Sequence, residues 1–262
     1  MWATTPLEIQ TVSSMPKDQL IGAPVSACVR RAGGNAAVSL PSEWLRQLPL
    51  FSNLSPAECS DILSAANEKQ FLRRQTIFIE GARCRQVFLV LSGCVKITQL
   101  GSSGWEVILR LSGPGELVGA LESYLGSNNL VTARTTQPTT ALVWEDTAFE
   151  SVSDRYPMLR RNITCLLGLR LQELEERFRE ISTQNVAPRL SHQLIRLCDQ
   201  LRQHSSGALE ISLSREELAQ LTGTTLFTVS RLLSEWERQG IVSTRREAVV
   251  VRDFQALKEI CE

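Results

Sequence analysis

Near its C-terminal end the chain shows the apolar spacing of an amphipathic helix. Four large apolar residues fall at i, i+3, i+4 and i+7, which places them on one helix face. They are Val229, Leu232, Leu233 and Trp236. At about 100° per residue, the opposite face carries Phe227, Arg231, Ser234 and Arg238. The outer face of this predicted helix therefore has two guanidinium groups and no carboxylate.

A shorter helix is predicted directly before this one. Ser214 and Glu217 have the spacing of a capping box, in which each side chain accepts a hydrogen bond from the other residue's backbone N–H. Gly223 suits a tight turn, and Thr225 can cap the helix that follows. Two short helices joined in this way form a helix-turn-helix, whose second helix can enter the major groove of DNA.

The residues after the second helix strengthen this interpretation. Residues 241–251 predict two short strands joined around Arg245 and Arg246, which is the β-hairpin wing of a winged helix-turn-helix. From Gly223 to Arg246 there are four arginines and two glutamates, so the segment is locally positive. The alternative is a helical hairpin with a solvated outer face, since helix-turn-helix geometry also occurs away from DNA. The wing favours DNA binding.

Between Phe51 and Glu145 the pattern changes to short apolar strands. The segment opens with Ser55, Pro56 and Glu58, which are the cap, first-turn proline and capping partner of a short helix. The strands that follow are separated by glycines, which suit turns with positive φ. These glycines are Gly81, Gly93, Gly101, Gly104, Gly113, Gly115 and Gly119. Short strands with such frequent turns indicate an antiparallel barrel or jelly roll.

A long helix is predicted between these strands and the helix-turn-helix, from Asp154 and Pro157 to about Gln184. Five apolar residues in it have the 4-3-4-3 spacing of a coiled-coil seam. They are Leu167, Leu171, Leu174, Phe178 and Ile181. The seam predicts a homodimer, and the alternative is that it packs against the chain's own barrel. Leu166 and Leu169 lie off the seam and are expected to face the barrel.

Composition limits the classes of protein that the chain can represent. Its 262 residues are enough for two domains. The 28 basic and 28 acidic residues argue against a strongly basic coat protein of nucleic acid, but they allow local basic patches. No apolar run approaches the ~18 residues of a membrane span, and the start of the chain lacks a signal-peptide pattern. We therefore expect a cytoplasmic protein that does not enter a membrane.

Taken in this order, residues 44–252 resemble the CRP/FNR (cyclic-AMP-receptor/fumarate-nitrate-regulator) family of bacterial transcription factors. The resemblance rests on PLFSNLSPAE, on IFIEG with VFLVLSGCVKITQLGSSGWEVILRLSGPGELVG, on NVAPRL, and on the predicted helix-turn-helix. It implies an α+β fold with an effector-sensing, cyclic-nucleotide-binding-like β-barrel, a dimer helix and a winged helix-turn-helix. It also implies double-stranded promoter DNA and a second copy of the chain as partners, and often RNA polymerase.

The resemblance and the patterns together divide the chain into four parts. Residues 1–38 are expected to be a disordered extension, because they mix Thr, Ser, Pro, Ala and Gly without periodicity. We assign residues 39–152 to the sensor barrel and residues 153–185 to the dimerisation helix. The winged helix-turn-helix is assigned to residues 186–262.

Matching to the family suggests the role of individual residues of the helix-turn-helix. Phosphate contacts are implied for Ser214, Arg215, Thr225 and Thr228, and base reading for Leu226, Phe227 and Arg231. Arg231 matches the family's arginine and suits a guanine. Phe227 departs from the family, whose members commonly carry a glutamate there, so the usual half-site cannot be carried over. The alternative for Leu226 and Phe227 is that both turn back into the domain core.

The effector pocket departs from the cyclic-nucleotide members of the family, where a Gly-Glu pair binds ribose and an Arg-Ser/Thr pair neutralises the cyclic phosphate. Gly115 and Glu116 match the first pair, whereas Asn129 stands where the phosphate arginine is expected. Asparagine cannot supply the charge that a buried phosphate requires. Arg134 with Thr135 would replace the pair only in a shifted register. A cyclic nucleotide is therefore disfavoured, and Glu116 is expected to be structural.

Other cofactors are also disfavoured. An iron–sulfur cluster needs clustered cysteines, whereas the seven cysteines are scattered and Cys28 stands alone near the N-terminus. Haem held by histidine is disfavoured because His192 and His204 both lie in the DNA-binding half. No metal-ligand cluster is found either. The effector stays unknown.

Cys84 and Cys94 both lie in the predicted barrel. Cys84 and Cys94 are expected to be inert, although Arg83 and Arg85 leave a redox-active or haem-ligating Cys84 open as the alternative.

An enzyme is disfavoured because the chain lacks GxSxG, HExxH, P-loop and Rossmann motifs. A nucleotide-binding regulatory subunit would leave the helix-turn-helix without a purpose.

Overall fold

The computed structural model describes Trp44 and residues 47–102, 104–126, 128–202 and 210–261. The predicted disordered extension at 1–38 lies outside the described residues, and so do Cys28 and His204. Among the described residues, no helix is long and apolar enough to cross a membrane.

The first half of the described chain forms two antiparallel β-sheets that face each other. A 3₁₀ turn at Pro49–Phe51 and helix α1 at Pro56–Ser64 precede them. The strands are β1 (Asn67–Phe71), β2 (Thr76–Phe78), β3 (Gln86–Ser92), β4 (Val95–Leu100), β5 (Glu106–Ser112), β6 (Leu117–Val118), β7 (Thr132–Thr135) and β8 (Thr139–Glu145). Their orders are β1-β8-β3-β6 and β2-β7-β4-β5, which confirms the predicted jelly-roll type of barrel.

The space between the two sheets is filled with apolar side chains. Residues of both sheets contribute to this barrel core, and they are Phe88, Val90, Val95, Ile97, Val118, Ala133 and Val143. The rings of Phe71 and Phe78 pack against Phe88 with centroid distances of 6.2 and 5.9 Å. The other face of the first sheet packs on helices, with Trp144 fully buried there. The sheets are therefore held together by burial of apolar surface.

Glycines at the strand ends make turns that other residues could not form. Gly93 has φ +89°, and a Cβ there would lie 2.5 Å from the carbonyl oxygen of Pro138. Gly119 has φ +86°, and its Cβ would lie 2.8 Å from the carbonyl oxygen of Gln86. The prediction of positive φ was wrong for Gly113.

The helix that follows the barrel is broken where the sequence predicted continuity. Helix α2 (Ala120–Tyr124) lies between β6 and β7, and β8 leads into α3 (Asp146–Arg155) and then α4 (Pro157–Thr183). Asp154 thus lies in the last turn of α3 instead of starting α4. The break falls at Tyr156, with φ −117° and ψ 89°, because a residue before proline is pushed out of the helical region.

The second half of the described chain is a winged helix-turn-helix. Its elements are α5 (Val186–Arg202), β9 (Glu210–Ile211), α6 (Arg215–Thr222), α7 (Leu226–Arg238), β10 (Val242–Arg245), β11 (Ala248–Val251) and α8 (Phe254–Glu259). Strands β10 and β11 confirm the predicted wing, and β9 adds a third strand that was not predicted. The chain leaves α4 at Gln184, and Pro188 lies in the first turn of α5, where proline is tolerated.

Candidate DNA-binding interface and sensor barrel

The start of the helix-turn-helix is held by its predicted capping box. The Ser214 hydroxyl accepts a hydrogen bond from the Glu217 backbone N–H at 3.2 Å, and the Glu217 carboxylate accepts one from the Ser214 backbone N–H at 3.0 Å. The Ser214 hydroxyl also lies 3.1 Å from that carboxylate. Gly223 ends α6 in the left-handed conformation, with φ +61°. The predicted cap and turn are thus confirmed.

Two threonine hydroxyls lie at the N-terminus of α7. Thr225 caps this helix by accepting a hydrogen bond from the Thr228 backbone N–H at 3.2 Å, and the two hydroxyl oxygens are 3.0 Å apart. The unpaired N–H groups and the positive dipole end of a helix favour an anion at this position. Thr225 and Thr228 thus stand where a phosphate could be bound.

The outer face of α7 is open to solvent and basic. The side chains predicted to face inward are buried, and they are Val229, Leu232, Leu233 and Trp236. Phe227 is 79% exposed and Leu226 is 50% exposed, so neither residue turns back into the core. Arg231 and Arg238 are exposed on the same side of the helix. Two guanidinium groups and two apolar side chains are therefore available for contact with a groove.

Arg215, at the start of α6, is tied to the wing by contacts that the sequence did not suggest. Its Nη2 donates to the Thr244 hydroxyl at 3.1 Å. The Thr244 hydroxyl in turn donates to Glu237 Oε2 at 2.9 Å, and the Thr244 backbone N–H donates to Glu237 Oε1 at 2.6 Å. These two hydrogen bonds and the nearby Arg215 charge hold the pKa of Glu237 below its usual value.

The predicted seam of α4 is exposed along most of its length. Its four C-terminal members lie on the surface, and they are Leu171, Leu174, Phe178 and Ile181. Leu166 and Leu167 instead pack against the apolar cluster between the barrel and its helices. Leu169 is exposed, so the prediction that it faces the barrel was wrong. From Leu171 onward the seam does not pack on its own barrel.

The polar side of α4 contacts the rest of the chain. Arg170 pairs with Glu116 at 3.0 Å, and Arg177 donates to backbone carbonyls of both β5 and α6. Near the end of the helix, Glu180 is almost fully buried and is bound by both terminal nitrogens of Arg196, at 2.7 and 2.9 Å. Because these polar contacts face inward, the apolar seam faces outward.

The residues suggested for an effector pocket make their polar contacts with different parts of the chain. Glu116 pairs with Arg110 and Arg170 next to the Gly115 turn. Asn129 is buried, and its Nδ2 lies 3.4 Å from the carbonyl oxygen of Ile79. Arg134 is exposed on the outer side of β7 and lies 3.3 Å from the Thr76 hydroxyl. Arg134 thus points away from the barrel core.

The barrel cysteines have the environment of unreactive thiols. Cys84 is buried, with its sulfur 3.8 Å from the carbonyl oxygen of Gly119. Burial raises the pKa of the Cys94 thiol to about 11, so little thiolate exists near neutral pH. Within the described residues, no group of three or more His, Cys, Asp or Glu side chains could hold a metal ion.

The barrel and the helix-turn-helix are in direct contact. Ile108 of β5 is fully buried in the same apolar cluster as Leu218 and Leu221 of α6. Lys96 Nζ lies 3.4 Å from the Glu217 carboxylate beside this contact. At the wing, Glu247 pairs with Arg73 at 2.9 Å and with Arg74 at 3.2 Å. The barrel thus contacts both α6 and the wing directly.

A β-barrel of the cyclic-nucleotide-binding type, a long helix and a winged helix-turn-helix together define a DNA-binding transcription regulator with an N-terminal sensor domain. Two family models match the chain: a cyclic nucleotide-binding domain over residues 68–156 and a Crp-like helix-turn-helix domain over residues 188–260.

Similar proteins agree with this class. The cyclic AMP receptor protein of Thermus thermophilus is 30% identical over 212 residues, which cover 81% of this chain and 96% of that protein. The CRP-like cAMP-activated global transcriptional regulator of Mycobacterium tuberculosis is 25% identical over 218 residues, or 82% of this chain and 97% of that protein. The structure of the c-di-GMP-responsive regulator CLP of Xanthomonas campestris has a TM-score of 0.66 at 22% identity, covering 76% of this chain and all of that one.

The chain belongs to the CRP/FNR family of transcription regulators. Regulators of this family bind promoter DNA and act as dimers.

Proposed function

We propose that this regulator binds a two-fold-related promoter site as a homodimer formed by the seam of α4. The exposed seam is the observation that carries the proposal, because it leaves four large apolar side chains in water on one helix face. A second copy of the same helix would cover them by coiled-coil packing. The resulting two-fold axis would place two copies of α7 about one helical turn of DNA, ~34 Å, apart.

Within each half-site we assign two kinds of contact. Leu226, Phe227 and Arg231 would read base edges, because all three are exposed on the outer side of α7. The proposed phosphate contacts are Ser214, Arg215, Thr225 and Thr228. All four lie at the N-terminal ends of α6 and α7, where backbone N–H groups favour an anion.

We further propose that the barrel takes no cyclic nucleotide of the usual kind. The core between its sheets is apolar, Asn129 is bound to the backbone, and Arg134 points outward. A cyclic phosphate buried among the described residues of this core would meet no cation to neutralise it. Two of the relatives named above respond to cAMP or to c-di-GMP. Similarity to them does not assign either ligand to this chain. We also propose RNA polymerase as a partner, because a regulator bound at a promoter lies next to the polymerase that binds there.

Selection of binding sites from random duplexes, followed by affinity measurement on the selected site, tests the proposal. We expect a sequence with two-fold symmetry, and a duplex with a single half-site should bind far more weakly. Selection of asymmetric sites, or equal affinity for one and two half-sites, would contradict binding as a dimer. Turnover assays on the same preparation serve as the control for an enzymatic function.

A further inference from the structure

Three separate elements of the DNA-binding half meet at the side chain of Thr244. This residue lies on β10 of the wing, next to Arg215 at the start of α6 and Glu237 in the last turn of α7. Its hydroxyl accepts from Arg215 Nη2 and donates to Glu237 Oε2, at 3.1 and 2.9 Å. Its backbone N–H donates a hydrogen bond to the other oxygen of the same carboxylate, Glu237 Oε1, at 2.6 Å. We call these three residues the wing clamp.

The place of Glu237 in the clamp is unexpected on electrostatic grounds. An exposed carboxylate on a helix that binds DNA repels the phosphates, and its removal should by itself strengthen binding. Glu235, which is also exposed on α7, provides the comparison because it has the same charge and takes no part in the clamp. Glu237 differs from Glu235 in that both of its oxygens accept hydrogen bonds from Thr244. This difference points to a role that offsets the repulsion.

Resting on the proposed phosphate contact of Arg215, we infer that Glu237, acting through Thr244, is a positioning residue that holds the Arg215 guanidinium in place for the DNA backbone. A free arginine side chain loses rotamer entropy when it binds. A guanidinium that is already oriented by the Thr244 hydroxyl has lost part of that freedom before DNA arrives. One terminal nitrogen is used in the clamp, which leaves the other N–H groups of the fork for a phosphate.

The first test compares Glu237→Gln with Glu235→Gln on one duplex. Both variants remove one negative charge from the same helix, so repulsion alone predicts that both bind DNA more tightly. The inference predicts opposite results: Glu235→Gln binds as tightly as the parent or more tightly, whereas Glu237→Gln binds about fivefold or more weakly at ~0.1 M salt. For Glu237→Gln, the slope of the logarithm of the binding constant against the logarithm of the salt concentration should also become less steep. The change should correspond to the loss of about one phosphate contact per subunit.

A second pair of variants separates positioning from simple stability of the wing. Thr244→Ser keeps the hydroxyl and should bind DNA like the parent. Thr244→Val removes the hydroxyl but suits a strand, and it should show the same weaker binding and reduced salt dependence as Glu237→Gln. Thermal unfolding of each variant is measured in parallel. A loss of affinity that follows stability and leaves the salt dependence unchanged overturns the positioning role.

The same measurements on Arg215→Ala keep this inference distinct from the proposed function. If Arg215→Ala weakens binding while Glu237→Gln behaves like Glu235→Gln, the phosphate contact holds and only the positioning role is overturned. If Arg215→Ala leaves affinity and salt dependence unchanged, both ideas fail. In the Arg215→Ala background, Glu237→Gln should cause no further loss, since its effect is transmitted through Arg215.

Discussion

At the scale of single residues, the exposed ring of Phe227 sets the expected DNA site of this protein apart. A phenyl ring cannot accept a hydrogen bond from the amino group of cytosine, so pairing the two would leave that group unsatisfied. The ring can instead pack against the methyl group of thymine in the major groove. We therefore expect a T·A pair at the position that Phe227 reads, with Leu226 adding apolar contact.

Selection from random duplexes with the parent and with Phe227→Glu checks this prediction. The glutamate should shift the preferred base at one position of each half-site towards C·G, because its carboxylate accepts from cytosine N4. Selected sequences that are identical at every position for both proteins would contradict base reading by Phe227.

Arg231 and Arg215 should differ in what their loss does. Arg231→Ala should cost about 1–3 kcal/mol of binding free energy on the preferred site and relax the base preference there. Arg215→Ala should instead weaken binding to all sequences alike, because phosphates carry no sequence information. Affinities for the selected site and for a scrambled duplex measure both effects. An equal loss of discrimination in the two variants would mean that base and phosphate contacts are assigned wrongly.

At the scale of elements, α4 carries the prediction for assembly. Leu174 lies in the middle of the exposed seam, so Leu174→Glu would bury a charge in each of two facing helices, at a cost of several kcal/mol. We expect this variant to be monomeric at micromolar concentration in sedimentation. Gln172→Glu adds the same charge to an exposed position off the seam and should stay dimeric. A fully dimeric Leu174→Glu variant would place the interface elsewhere.

Elements whose signals are local could be predicted from the sequence. Both capping boxes form as their spacing requires, with Ser55 and Glu58 at α1 and Ser214 and Glu217 at α6. The separate helix α3 is not predicted from the sequence, because Pro157 is both a start signal for α4 and a stop signal for the helix before it. The two-residue strand β9 was missed because a strand this short has no period of its own and exists only through its pairing with β11.

The residues of the candidate site also differ in whether local sequence signals reveal them. The exposure of Phe227 and Arg231 follows from helical spacing alone. The wing clamp could not be found in this way, because Arg215 and Thr244 are far apart in sequence and meet only once the wing has folded back.

At the scale of the whole molecule, the composition of the barrel core bears on which ligand the protein binds. We expect weak or no binding of cyclic AMP and cyclic GMP, because the described barrel core is apolar and Arg134 lies outside it. Isothermal titration calorimetry with each nucleotide measures this directly. A micromolar or tighter dissociation constant would contradict the assignment, and Arg134→Ala would then show whether that arginine neutralises the phosphate.

The two halves of the molecule are joined by an apolar contact around Ile108. Ile108 belongs to the barrel by its place in β5, yet it is fully buried in the core of the helix-turn-helix, so that core includes a side chain of the barrel. Ile108→Ala should therefore cost about 2–5 kcal/mol of unfolding free energy through lost burial and a cavity. Val107→Ala, at an exposed position next to it, should cost far less.

Differential scanning calorimetry shows whether this contact couples the unfolding of the two halves. If the Ile108 contact couples the two halves, the parent protein should unfold mainly in one transition, because melting of the barrel exposes the apolar surface of α6. Ile108→Asp would bury an unpaired charge at the contact, and it should separate the unfolding of the two halves into two transitions. If Ile108→Ala and Val107→Ala lower the transition temperature equally, Ile108 does not join the halves in solution.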